Sequence, residues 1–324
     1  ARYVRDPRLR IALSFHPLFV GGNPFSVTSI YGLISFLERK WGVHFAMGGT
    51  GRLIDGMVRL VRGQGSTVHF NSEVCDILVD KGKATGVRLA NGQTISADVV
   101  VSNADAASTY HTLVSAKPSR VWAPRKVEAA RHSMSLFVWY FGTQKRYPDV
   151  GHHTILLGPR YKGLLDDIFK RKVLAEDFSL YLHRPTATDP SLAPEGCDSF
   201  YVLSPVPNLQ GDIDWSDAAE RYRKKIAARL EQTLLPGFTS HIVTSRVVTP
   251  LYFRDALNSY QGAAFSFEPL LTQSAWFRPH NRSEDIKNLF LVGAGTHPGA
   301  GVPGVLSSAK ILDSVVPDAA TFAS

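Results

Sequence analysis

The chain has 324 residues, 44% of them hydrophobic and 20% charged, which fits a folded protein of two structural lobes and leaves no low-complexity tract. No run approaches the roughly 20 apolar residues of a spanning helix, and no charged-then-apolar signal segment stands at the start. The 36 Lys and Arg outnumber the 28 Asp and Glu, for a net charge of +8. They are dispersed, without a zinc finger or aromatic–basic RNA-binding pattern, so nucleic acid is not an expected partner.

The chain opens "ARYVRDPRLRIALSF", with an apolar pattern under way by Ile11, and reads as entered in the middle. In 48–65, Leu53, Ile54, Met57, Leu60 and Val61 form one stripe opposite Arg52, Asp55, Arg59 and Arg62, which predicts an amphipathic helix ended by Gly63 and Gly65. "STVHF" (66–70) reads as a short strand. Strands follow at 73–80 and 83–90 around Lys81-Gly82, and Asn91-Gly92 predicts a type I′ hairpin. Val99, Val100 and Val101 are apolar on both faces, as in a buried strand. Cys75 and Cys197 match no zinc or redox spacing, and a reducing cytoplasm is the simplest reading.

From 106 to 282 the character changes. Aromatic-rich strands are expected at 135–142, 177–183 and 198–207, followed by a helix with Ser216 at its N-cap and Pro236-Gly237 after its end. Strands plus covering helices predict a mixed sheet, not a βαβ series, and an α/β (mixed α+β) fold. His152 and His153 are adjacent on a strand and so point to opposite faces, with no third ligand evident; no metal site is expected.

"NLFLVGAGTHPGAGVPG" (288–304) enters a glycine loop from a short buried strand, and a helix starts near Pro303. The loop reads equally as a pyrophosphate-binding turn and as a plain strand-to-helix connection. Too little chain follows for a stand-alone nucleotide fold, so the strand and helix fit best as the close of a domain begun elsewhere in the chain.

"NLFLVGAGTHPGAGVPGVLSSAK" resembles the C-terminal signature of the bacterial-type phytoene dehydrogenases, the carotenoid desaturase family of FAD-dependent oxidoreductases. The likeness extends through "LTQSAWFRPHNR", "AEDFSLYLHRPTATDPSLAPEGCDSFYVL" and "SFHPLFVGGNPF". It implies the C-terminal portion of a two-domain, amine-oxidase-like flavoprotein. A helical segment would occupy 1–40, a partial FAD-binding domain 41–104 and 285–318, and a substrate-binding domain 105–284. FAD would be approached by Gly48 and Gly49 and flanked at its adenine by Val74. Gly293, Ala294 and Gly295 would pass the ribityl and pyrophosphate portion, and Gly304 and Val305 would present helix N-terminal amides to the ring. The family's N-terminal Gly-x-Gly-x-x-Gly unit and the acidic ribityl ligand after the "VG" pair are not found, so the fragment is expected to bind FAD poorly.

For acid–base work the candidates are His297, then Arg278 and His280, and Glu268. The resemblance implies desaturation of phytoene to neurosporene or lycopene. The long carotene substrate would be held in an apolar cavity for which Phe137, Trp139, Phe141, Tyr181, Phe200, Tyr201, Phe265, Phe267 and Trp276 are candidates. Peripheral association with the cytoplasmic side of a bacterial membrane is implied too. Rival readings are a carotene isomerase, ketolase or later-step desaturase, a non-catalytic apolar-ligand carrier, and a nicotinamide-dependent dehydrogenase.

Overall fold

A computed structural model of the chain describes residues 3–116 and 120–322. In chain order the strands are β1 (Val74–Asp80), β2 (Lys83–Leu89), β3 (Thr94–Ser96), β4 (Val100–Ser102), β5 (Ser135–Thr143), β6 (His153–Leu156), β7 (Leu180–His183), β8 (Asp198–Val206), β9 (Ile242–Val248) and β10 (Leu289–Leu291). They build sheets in the orders β1-β2-β3, β10-β4 and β6-β7-β8-β5-β9. Two compact units result. Ala1–Phe36, Asn71–Ser135 and Tyr252–Ser324 form the first; Leu37–Phe70 and Leu136–Leu251 form the second. Residues 41–70 thus group with 136–251, whereas the sequence reading joined them to 71–104.

In the first unit, Lys81 (φ 46°) and Gly82 (φ 77°) make the tight turn between the antiparallel β1 and β2. The hairpin at Asn91-Gly92 forms between β2 and β3, but not as a type I′ turn. Leu89 N–H donates to the Gln93 carbonyl at 2.8 Å, which closes a three-residue loop in which Gly92 takes the positive φ, 88°. Asn91 instead accepts the Gln93 N–H on its side chain at 2.9 Å. Residues 66–70 form no strand. β4 lies parallel to β10, with Leu289, Phe290 and Leu291 opposite Val100, Val101 and Ser102. All of β10 is buried, yet Val101 is 45% exposed, so the valine run is covered on one face rather than two. Ile77, Tyr110, Val114, Phe267, Leu289 and Leu291 anchor this unit's core.

The second unit is a sheet covered by the helix Trp215–Thr233. Alternation sends Phe137, Trp139, Phe141, Leu182, Phe200 and Val202 into one core with Tyr222, Ile226 and Leu230 of that helix. The helix begins two residues earlier than expected. Asp214, not Ser216, is the N-cap, and its carboxylate accepts the Ser216 N–H at 2.9 Å and the Ser216 hydroxyl at 2.5 Å. Both bonds end on the same oxygen, Asp214 Oδ1, so the Ser216 side chain that was expected to cap the helix is itself held by the true cap. The helix Thr50–Gly63 forms as expected, but none of its residues is buried.

Candidate functional site

The glycine loop follows β10 in the first unit and leads to the helix Val302–Val315. Its glycines are demanded by the chain's own packing. Gly293 sits at φ 108°, and a Cβ there would lie 2.9 Å from Asn103 Oδ1. A Cβ on Gly295 would meet Ser266 Oγ at 2.6 Å and Ala106 Cβ at 2.9 Å, and one on Gly304 would meet the Gly299 carbonyl at 2.5 Å. The loop's polar groups are also used internally. Gly293 N–H donates to Ser308 Oγ at 2.8 Å, and the Ala294 carbonyl accepts from Arg278 Nη1 at 2.6 Å. Asn281, which sequence reasoning did not single out, donates to the carbonyls of Leu291 and Ser308, each at 3.2 Å, and so ties β10 to the helix.

The helix itself starts at Gly301, an N-cap at φ 96° that makes no side-chain capping bond. Pro303 stands in the first turn as expected. Val305 does not present its amide outward, because that N–H donates to the Gly301 carbonyl at 2.9 Å as the helix's i to i−4 bond. The amides of the first turn that can face a ligand are those of Val302 and Gly304, since proline has none. Val74 is half-buried at the start of β1, opposite Leu89.

Among the acid–base candidates, Arg278 is 2% exposed and spans two backbone carbonyls, Ala294 and Phe267, the latter at 2.9 Å from Nη2. Burial holds its pKa down at about 10, with Tyr31 and Asp105 pulling upward. The guanidinium therefore stays charged at neutral pH, and its geometry is that of a clamp. Glu268, 1% exposed, pairs with Arg131 at 2.8 Å. His280 places Nε2 at 2.9 Å from the Trp276 carbonyl and Nδ1 at 3.5 Å from Glu284, so both ring nitrogens are engaged. His297 differs: its Nδ1 is buried with no hydrogen-bond partner, and its ring lies 6.5 Å from that of Trp276. Asp105 was not anticipated. It accepts from Tyr260 N–H at 2.7 Å, from Ala107 N–H at 3.3 Å and from the Ser266 hydroxyl, and burial raises its pKa despite these bonds. Only its place after the "VVVSN" strand could have marked it.

Gly48 and Gly49 belong to the second unit. Both have φ near 82°; Gly48 N–H donates to Asp189 Oδ2 at 2.6 Å, and Gly49 caps the helix Thr50–Gly63 without a side-chain capping bond. The aromatic candidates separate by face. Phe137, Trp139, Phe141 and Phe200 are core, while Tyr140, Tyr181, His183 and Tyr201 form a cluster on the sheet's other face, with ring centroids 4.5 to 5.7 Å apart between neighbours. In the first unit Phe267 is 2% exposed, Phe265 is half-buried, and Trp276 is 68% exposed.

His152 and His153 do not diverge as neighbours within a strand would; their ring centroids are 4.3 Å apart. His152 lies in the bend before β6, where strand alternation does not yet apply, and only His153 is in the strand. His183, directly opposite His153 across β6 and β7, supplies the third imidazole. One ring nitrogen from each of the three lies within 4.8 Å of the others. Burial holds all three below the ordinary histidine range, His183 at about 4, and the neighbouring rings add to the effect at His152 and His183.

Residues 1–311 match the family described as flavin containing amine oxidoreductase. The chain is 56% identical over 321 residues to a phytoene desaturase (neurosporene-forming) of Cereibacter sphaeroides, covering 98% of this chain and 62% of that protein. It is 53% identical over 311 residues to a phytoene desaturase (lycopene-forming) of Pantoea ananas, covering 96% of this chain and 63% of that one. The chain therefore spans less than two thirds of the length of these relatives. Among solved structures, an oxidoreductase from Methanosarcina mazei superposes with a TM-score of 0.67 at 20% identity, over 96% of this chain and 66% of that one. That likeness is one of fold.

Proposed function

The chain belongs to the flavin containing amine oxidoreductase family, and from that premise we propose that it serves an FAD-dependent phytoene desaturase activity that forms neurosporene or lycopene. The observation that carries this reading is the 56% identity to a neurosporene-forming phytoene desaturase along 98% of this chain. FAD, when bound, accepts the hydride equivalent that desaturation removes from one of two adjacent sp³ carbons.

The residues at the loop fit the ring end of that cofactor. The 14-residue helix Val302–Val315 has an uncapped N-terminus, whose positive end stabilises negative charge on a reduced ring. The amides of Val302 and Gly304 are its donors. His297, with a buried Nδ1 that makes no hydrogen bond, is the first choice for holding or moving the proton released with the hydride. Arg278 positions the loop by holding the Ala294 carbonyl. A carotene offers no polar handle, so its recognition rests on buried apolar area.

A lipid-dissolved substrate calls for peripheral membrane contact. Among the described residues no helix is long and apolar enough to cross a membrane, but Leu271, Trp276 and Phe277 are 57 to 68% exposed within one short stretch, a composition suited to the interfacial region of a bilayer. The decisive experiment expresses the coding sequence that carries this chain in a phytoene-accumulating bacterium and separates the pigments by chromatography. Neurosporene or lycopene is the expected product. Unchanged phytoene, with the protein present and flavin-bound, would sink the reading.

A further inference from the structure

His152, His153 and His183 take no part in the reaction proposed above, and their arrangement calls for a separate account. Three features of the second unit bring them together. Antiparallel pairing of β6 and β7 sets His153 against His183, whose rings stack at 5.4 Å with an interplanar angle of 9°. The Arg184 N–H donates to the His152 carbonyl at 2.9 Å, which fixes the bend before β6. His152 Nε2 then lies 2.7 Å from His183 Nε2. Phe45 closes one side of the cluster, its ring centroid 4.7 Å from that of His152 and 6.0 Å from that of His183.

We propose that His152, His153 and His183 bind a single divalent transition-metal ion of the zinc type, through one ring nitrogen each. Imidazole suits zinc, copper and nickel, and three histidines with one position left open is a known zinc ligand count. Tetrahedral geometry at zinc–nitrogen distances of roughly 2.0–2.1 Å spaces ligand nitrogens about 3.3–3.4 Å apart. The three nitrogens here, all within 4.8 Å of one another, reach that spacing by small ring rotations. The 2.7 Å contact between His152 and His183 has to open by about 0.6–0.7 Å, and the metal replaces the proton these two rings share.

Two of the three rings already have an outer partner, while His183 Nδ1 is buried without one. His152 Nδ1 meets Thr188 Oγ1 at 2.5 Å, and His153 Nδ1 meets Tyr181 Oη at 2.6 Å. Hydrogen bonds at Nδ1 orient the ring and turn Nε2 toward a metal, the usual second-shell device. An ion at this point would clip the bend before β6 to β7. The inference does not depend on the flavin reading.

The test uses the untagged full chain, stripped with a chelator and dialysed. Zn²⁺ is titrated by calorimetry and Co²⁺ by visible absorption. One equivalent per chain is expected, with the absorption of a tetrahedral nitrogen-ligated Co²⁺ that added Zn²⁺ abolishes. His153→Gln and His183→Gln should each weaken binding more than 10-fold. Thr188→Val, which removes the partner of His152, should weaken it about 10- to 100-fold. His153 is exposed, so its variant keeps the test readable if His183→Gln fails to fold. No stoichiometric site in the wild type, or Zn²⁺ affinity within twofold of wild type in the histidine variants, overturns the proposal.

Discussion

Arg278 shows how a residue type that suggests chemistry can be committed to architecture. Its guanidinium holds two carbonyls, that of Ala294 in the glycine loop and that of Phe267 outside it, from a site 2% exposed. Replacing it with Met leaves both acceptors buried and unpaired, at about 1–3 kcal/mol for each such group. Arg278→Met should lower the unfolding free energy by about 2–4 kcal/mol in urea denaturation. Arg278→Lys should not restore it, because one ammonium cannot replace the planar fork. A loss no larger than that of a surface substitution, about 0.5 kcal/mol, would return Arg278 to the catalytic candidates. Asp105 gives a residue-scale prediction with a sign. Burial raises its folded pKa above the ordinary 3.8, so the folded state holds the proton more tightly than the unfolded one. Its contribution is fully present below pH 3.8 and is lost as pH rises through the folded value. Asp105→Asn cannot ionise and should flatten this part of the stability curve. Parallel urea midpoints for the two proteins across the acid range would check it; identical slopes would refute it.

Two helices of similar periodicity mark how far sequence carries at the scale of the element. The stripes on Thr50–Gly63 and Trp215–Thr233 were both legible, because a 3.6-residue period is local information. What covers a stripe is tertiary information, and there the two diverge. Ile226 and Leu230 are wholly buried, whereas Leu60 is 62% exposed and its helix has no buried residue. Ile226→Ala should therefore cost about 2–5 kcal/mol, while Leu60→Gln should change stability by less than about 0.5 kcal/mol. Chemical denaturation of both variants decides the matter, and a multi-kilocalorie loss at Leu60 would mean that the helix is covered in solution. Other differences have the same origin. The valine run at 99–101 is apolar throughout, but only its partners decide that Val101 faces out. The Asn91-Gly92 signal located a hairpin correctly, while the loop length, fixed by the Leu89–Gln93 pair, selected the turn type. Of the candidate site residues, Val305 was placed in the right turn but credited with an amide that the helix itself uses. The three histidines gather through strand register, which single-sequence periodicity does not contain.

At the scale of the whole molecule, the question is how much of a dinucleotide these residues can hold. The glycine loop spends its polar groups on its own unit: Gly293 N–H on Ser308, the Ala294 carbonyl on Arg278, Val305 N–H on Gly301. The uncapped terminus of Val302–Val315 is what this loop leaves for a ligand. A helix terminus contributes about 0.3–1 kcal/mol to a neighbouring negative charge, and about 2 kcal/mol in partly buried sites. Even millimolar binding needs about 4.1 kcal/mol. The 324-residue chain, equilibrated with FAD and passed through a desalting column, should therefore keep far less than one equivalent of flavin in its absorption spectrum. A protein extended to the length of the relatives, of which this chain spans 62 to 63%, should keep it stoichiometrically under the same conditions. Stoichiometric flavin on the 324-residue chain alone would mean that the loop gives up its internal hydrogen bonds on binding, and the packing role assigned to its glycines would then not hold in the flavin-bound protein.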